Sequence, residues 1–227
     1  MATAILIHGC HLQAEAWEHI VWGDPKHGVL GRVPKGLQLA EKHAASLIFW
    51  GTGASQKDGK KESEYTYDYA LQHIHELDDV LKHGFAGYDA YEIQELLGKK
   101  SRLDLETQNT TDEIAAAAAF CKERRIDELI LVSSPTHIAR CLQEAQKLKT
   151  SGALEGIEVL ACASDTCFKD STPADVVIIE PPHRGDMPKV PFHKTVRRIF
   201  ATMRKPEIAF KLNDAMNKTI DEHIAML

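Results

Sequence analysis

The chain has no C-x-x-C pair, and its cysteines (Cys10, Cys121, Cys141, Cys162 and Cys167) are odd in number. That argues against a disulfide scaffold and a paired-thiol redox motif, and fits reduced thiols in a reducing compartment. No apolar run approaches the roughly 18 residues of a membrane span, and the N-terminal Ala4-Ile-Leu-Ile7 run is too short for a secretory signal. A cytoplasmic protein without a transmembrane segment is expected. There is no G-x-S-x-G elbow, so an α/β-hydrolase serine is not indicated. Gly59-Lys60-Lys61 lacks the Ser/Thr and the spacing of a P-loop. Gly51-Thr-Gly53 supplies only the first two glycines of G-x-G-x-x-G, and no acid follows at the expected strand end. Aromatics make up only 7% of the residues, and no internal repeat is visible.

What is present is an ordinary globular composition: 227 residues, 44% hydrophobic and 26% charged. That suits one sizeable α/β domain. Short apolar runs at 4–7, 46–50, 128–132, 157–161 and 175–179 alternate with helical stretches at about 35–45, 63–77, 111–124 and 135–149. Strands separated by amphipathic helices pair in parallel, which predicts a Rossmann-like three-layer sandwich with a mostly parallel sheet of five or six strands. The alanine run at 115–119 reads as a helix packed closely on that sheet, and 78–98 reads as an insertion with a short helix at 88–97. Further helices are expected at 194–203 and 207–225, so the core is assigned to 1–182 and a basic helical extension packed on it to 183–227.

The net charge of −6 argues against general nucleic-acid binding. Its distribution is uneven: between 183 and 211, eight Lys/Arg face only Asp186 and Glu207. This +6 segment leaves −12 for the rest, and it reads either as a solvated helical face or as a docking surface for an acidic partner or membrane.

The chemistry concentrates where strands hand over to helices. In Leu129-Ile-Leu-Val-Ser-Ser-Pro-Thr-His137-Ile-Ala-Arg140, Ser134 is placed to be the N-cap and Pro135 the first helical residue. His137 then falls in the first turn, with Arg140 on the same face. Free backbone N–H groups, the helix dipole and Arg140 together suit a phosphate or carboxylate. The competing reading is structural, with Ser134 as a cap and Arg140 paired to a local acid. Because ligands of open parallel sheets bind beyond the strand C-termini, the other strand ends join the candidate set. They are His8 to His11 after the first run and Gly51 to Ser55 after the second, with Lys57, Lys60 and Lys61 nearby as phosphate donors. Asn109-Thr110-Thr-Asp-Glu113 opens a helix, with Thr110 as N-cap, Glu113 at the capping-box position and Asn109 left for a ligand.

Gly31-Arg32, Trp50-Gly-Thr-Gly53, Ser63-Glu64, Glu106-Thr-Gln-Asn109-Thr110-Thr-Asp-Glu113 and Val132-Ser-Ser-Pro-Thr-His137-Ile-Ala-Arg140 occur in an order that resembles the YdcF/SanA/ElyC-like family, domain of unknown function 218, over roughly 3–165. The resemblance implies a ligand cleft at the strand ends built around Arg32, Gly51, Gly53, Glu64, Asn109, Thr110, Ser133, His137 and Arg140. It also implies S-adenosylmethionine as one ligand to test. The chain departs from the pattern at Thr107, where serine is usual. Its upstream acid can be Asp104 or Glu106, the N-terminal membrane segment of many members is missing, and the basic extension lies outside the family core.

The resulting expectation is a protein that binds an anionic or nucleotide-like small molecule, with Glu64 and His137 as acid/base groups. Arg32, Gly51, Thr52, Gly53, Asn109, Thr110, Ser133, Ser134 and Arg140 are the expected ligand contacts. Such a set suits phosphoester or pyrophosphate hydrolysis or group transfer. Alternatives are a non-catalytic small-molecule sensor, an interaction module using 183–211, and a metal site at His8, Cys10 and His11. Pro181-Pro-His183-Arg184 can reach the cleft as a lid, and Cys162 and Cys167 read as buried strand-end thiols.

Overall fold

The structure is a computed structural model that describes residues 2–77 and 89–167. The candidate strand at 175–179, the 181–184 segment, the basic stretch 183–211 and the helices expected at 194–203 and 207–225 lie outside the described residues.

One sheet organises the described chain. Its strands are β1 (Thr3–Ile7), β4 (Leu47–Trp50), β7 (Ser101–Leu103), β8 (Glu128–Ser133) and β9 (Glu158–Ala163), in the order β7-β4-β1-β8-β9. Every pair is parallel. This is the Rossmann-like α/β sandwich that the alternation of elements predicts. Two antiparallel two-residue ladders lie apart from it: β2 (Gly23–Asp24) with β3 (Val29–Leu30), and β5 (Gln56–Lys57) with β6 (Lys60–Lys61). Asp58 (φ 51°) and Gly59 (φ 80°) supply the two left-handed residues that close the second ladder as a tight hairpin.

The strands alternate between two cores because successive side chains point to opposite faces. Ile5 and Ile7 join a cluster with Val33, Leu37 and Ala40 of α2 (Arg32–Lys42), Ile20 of α1 (Trp17–Val21), Ala70 of α3 (Glu62–His73) and Ile93 of α4 (Ala90–Lys100). Ala4 and Leu6 join the other cluster, with Ile114, Ala117 and Ala118 of α5 (Thr110–Glu123) and Cys141 and Ala145 of α6 (Pro135–Thr150). Within the alanine run, only Ala117 and Ala118 are fully buried. On the first face Gly36 lets α2 approach β1: a Cβ there would sit 2.5 Å from Ile7 Cγ1. Helix glycine disfavours the helix by about 0.5–1 kcal/mol, and the close approach accounts for its place.

This order has its topological switch between β1 and β8, where successive connections leave toward opposite edges; open α/β sheets bind their ligands beyond the strand C-termini at such a point. Among the described residues no helix is long and apolar enough to cross a membrane.

Candidate functional site

β1 ends at Ile7, so His8 continues on the face of Ala4 and Leu6, beneath α5 and α6. Its Nδ1 meets Glu113 Oε2 at 2.6 Å, and the other Glu113 oxygen accepts the Gly9 N–H at 3.0 Å. Burial pulls the His8 pKa down, but the Glu113 carboxylate, helped by Cys141, overrides it and holds the imidazolium well above the usual histidine range. Among the described residues His8 Nε2 is left buried without a hydrogen-bond partner, with the Cys141 thiol near the ring. An unpaired buried donor of this kind costs about 1–3 kcal/mol unless something supplies an acceptor.

Arg32 is the second cation. It opens α2 and is only 1% exposed. A positive charge in a first helical turn opposes the helix dipole, so its position needs local compensation. Its Nε donates to Ser134 Oγ at 2.9 Å, and its Nη1 donates to the carbonyls of His8 (3.3 Å) and Gly9. Ser134 is the N-cap of α6, as its sequence position predicts, yet its hydroxyl makes no capping bond and serves the guanidinium instead.

His137 lies between these groups. Its Nδ1 is 2.8 Å from Ser133 Oγ and 3.6 Å from Cys141 Sγ, and its Nε2 is 3.4 Å from Thr110 Oγ1. Its ring is edge-on to that of His8, with centroids 5.8 Å apart. Burial, then the positive charges of Arg32, His8 and Arg140, push its pKa down to about 3. A neutral imidazole follows, suited to hydrogen bonding and weak as a base near neutrality.

The acid of the site is Glu62, the first residue of α3. Burial raises its pKa to about 7; the Ser55 hydrogen bond and Arg32 oppose the rise, and Glu113 adds to it. Ser55 Oγ donates to Glu62 Oε2 and accepts the Leu12 N–H at 3.0 Å. Two glycines make room for the carboxyls. A Cβ on Gly51 would overlap Glu113 Oε1, and one on Gly9 would overlap Glu62 Oε1 and sit 2.6 Å from Thr52 Cγ2.

Of the expected contacts, Arg32, Thr110, Ser133, Ser134 and His137 come together at the switch point. Gly51 belongs as the seat of Glu113. Thr52 and Gly53 hold the loop before α5: Thr52 Oγ1 donates to Thr107 O at 2.6 Å, and Gly53 N donates to the same carbonyl at 3.0 Å. Asp104 is the buried acid of that loop and accepts the Glu106 and Thr107 N–H groups at 3.1 Å, whereas Glu106 is exposed. Arg140 is exposed beside His137.

Several local assignments change. The N-cap of α5 is Asn109, whose side chain accepts the Asp112 N–H at 3.0 Å; Thr110 is the first helical residue. Both residue types cap well, and the one-residue shift frees Glu113 from the capping box to reach His8. Glu64 is the capping-box acid of α3, accepting the Lys61 N–H at 2.8 Å, while Glu62 takes the interior position. Two of the three expected phosphate-donor lysines of the hairpin are engaged elsewhere: Lys60 pairs with Asp68, and Lys57 lies 4.9 Å over the Tyr65 ring. His8, Cys10 and His11 form no metal site, since His8 is bound to Glu113 and His11 is exposed. Among the described residues no group of three or more His, Cys, Asp or Glu can hold a metal ion.

Sequence reasoning missed Glu62 and Glu113 as site groups; it placed His8 among the strand-end candidates and as a metal ligand, but not as the partner of Glu113. The pairing of Gly51 with Glu113 had no local signal, because the two meet only once β4 and α5 are packed. No family model, curated protein or solved structure matches the chain.

Proposed function

We propose that the strand-end crevice binds a phosphate-bearing oxyanion and that the protein acts on it by phosphoester or pyrophosphate hydrolysis or group transfer. The observation that carries this reading is His8: a buried imidazolium, held charged by Glu113, whose Nε2 has no partner. Buried donors are normally satisfied, and a ligand oxygen beside a second buried cation, Arg32, supplies the missing acceptor. Gly9 and His137 are half-buried and form the mouth, and the N-terminal turn of α6 adds its dipole. The motif order resembling the YdcF/SanA/ElyC-like family leads to the same crevice.

The test is thermal stability against sulfate, phosphate, pyrophosphate, nucleoside diphosphates and S-adenosylmethionine, for the wild type and for Arg32→Lys and Arg140→Ala. An oxyanion at 100 times its Kd stabilises by about 2.7 kcal/mol. Stabilisation by the anions, reduced in Arg32→Lys, is expected. A response to S-adenosylmethionine alone, or to none of the panel, would overturn the proposal.

A further inference from the structure

The carboxyl of Glu62 has two unequal oxygens. Oε2 accepts from the Ser55 hydroxyl, which is itself fixed by the Leu12 N–H at 3.0 Å, and the Glu62 N–H donates to Ser55 O at 3.0 Å. A hydroxyl has one proton to give, and here it goes to Oε2. With Oε2 held by Ser55, the oxygen left for a further hydrogen bond is Oε1, which lies against Gly9 where a side chain would otherwise be. Gly9 in turn donates its N–H to Glu113 Oε1 at 3.0 Å. Two carboxyls thus bracket a half-buried glycine just beyond the C-terminal end of β1.

Their surroundings pull them apart. Glu113 is paired with the His8 cation at 2.6 Å and accepts the Gly9 N–H, so its ionised form is satisfied. Glu62 has no cation within salt-bridge distance among the described residues' pairs, and it is buried to 1% exposure. Neighbouring carboxyls in such unequal environments take different roles, and the one without a cation partner is Glu62.

Resting on the oxyanion reading above, we propose that Glu62 is the proton-donating contact of the crevice, its Oε1–H hydrogen-bonding an oxygen of the bound anion. Binding then takes up one proton whenever the carboxyl starts ionised. The groups facing Glu62 are Glu113 from α5, Arg32 from α2 and the Cys10 thiol after β1; on its own element Lys61 and Glu64 are adjacent, with Glu64 turned to the Lys61 N–H. Burial raises the Cys10 thiol above its ordinary range, His8 is held well above neutrality, and His137 is lowered to about 3. Of these four groups, Glu62, at about 7, is the one that changes charge near neutrality.

Sulfate is the probe, because it stays a dianion from pH 5.5 to 8.5 and adds no titration of its own. Its Kd is measured by calorimetry across that range at fixed ionic strength, in two buffers of different ionisation enthalpy that count protons taken up. The wild type is expected to lose affinity about tenfold per pH unit above the Glu62 midpoint, with close to one proton taken up at the alkaline end. Glu62→Gln keeps the acceptor for Ser55 and should bind with a nearly constant Kd and no uptake. A wild-type Kd independent of pH, or a slope surviving in Glu62→Gln, would overturn the role of Glu62 while leaving the anion site standing. No binding of sulfate, phosphate or pyrophosphate at any pH would remove both. Should Glu62→Gln not fold, carbon NMR of the wild-type Glu62 carboxyl decides: its midpoint must rise when sulfate is added, and an unmoved midpoint refutes the proposal.

Discussion

Glu62 and Glu64 are two residues apart on one helix, and the interior position goes to the one whose neighbour across the crevice is a glycine. Its raised pKa is a stability statement. An acid with a folded pKa near 7 and an ordinary value of 4.5 binds its proton more tightly when folded, so its burial is unpenalised below about 4.5 and costs progressively more as pH rises to 7. Glu62→Gln is therefore expected to stabilise the protein at pH 8 by up to about 3 kcal/mol, with the gain vanishing near pH 4.5. Urea unfolding of both proteins at the two pH values checks this, and a pH-independent difference would contradict it. Gly51 offers a second case. Gly51→Ala places a methyl where Glu113 Oε1 lies and must break the His8 pair or displace β4. A loss of about 3 kcal/mol is expected, since removing a buried charge's partner costs 3–5 kcal/mol. Gly98→Ala, in a helix with open space around it, should instead gain roughly 0.5–1 kcal/mol. Thermal or denaturant unfolding of the two variants should move in opposite directions.

At the scale of elements, the caps of α5 and α6 look alike in sequence and differ in use. Asn109 caps α5 from an exposed position, so Asn109→Ala should lose about 1 kcal/mol and leave anion affinity unchanged. Ser134 makes no capping bond, but its hydroxyl accepts from buried Arg32. Ser134→Ala strands a guanidinium N–H, with an expected loss of about 1.5–3 kcal/mol and weakened anion binding. Equal losses in the two variants, with equal binding, would show that Ser134 is only a cap. The same contrast marks how far the sequence could be read. Strands β1, β4, β8 and β9 were legible because they are apolar runs between helical periods, and Pro135 marked the start of α6. Strand β7 was not legible: Ser101-Arg-Leu103 is three residues long and largely polar, and pairing with β4 makes it a strand. His137, Ser133 and Arg32 were found because each sits beside a strand end or a helix start. Glu113 was hidden by a local motif that explained it equally well as a cap.

Over the whole molecule, the three shifted groups of the crevice set a pH profile that none would give alone. His137, lowered from 6.5 to about 3, makes stability rise with pH across that interval, because the unfolded chain holds the extra proton. Glu62, raised from 4.5 to about 7, makes stability fall across its own interval. The two slopes cancel between about 4.5 and 6.5. Above 6.5 the unfolded His8 loses its proton while the folded one keeps it beside Glu113, so His8 also lowers stability as pH rises. The cluster's contribution is thus greatest on a plateau from about 4.5 to 6.5, declines most steeply from 6.5 to 7 where Glu62 and His8 act together, and continues to fall more gently beyond. Unfolding free energy of the wild type minus that of a His8→Gln, Glu62→Gln, His137→Gln triple variant, measured from pH 4 to 9, isolates this contribution from the remaining carboxylates. A difference curve that is flat across 4.5–6.5 and bends downward above it is expected. A difference that rises across 4.5–6.5 and stays level above pH 7 would mean that His8 is neutral in the folded protein, and the case for an oxyanion in the crevice would lose its main support.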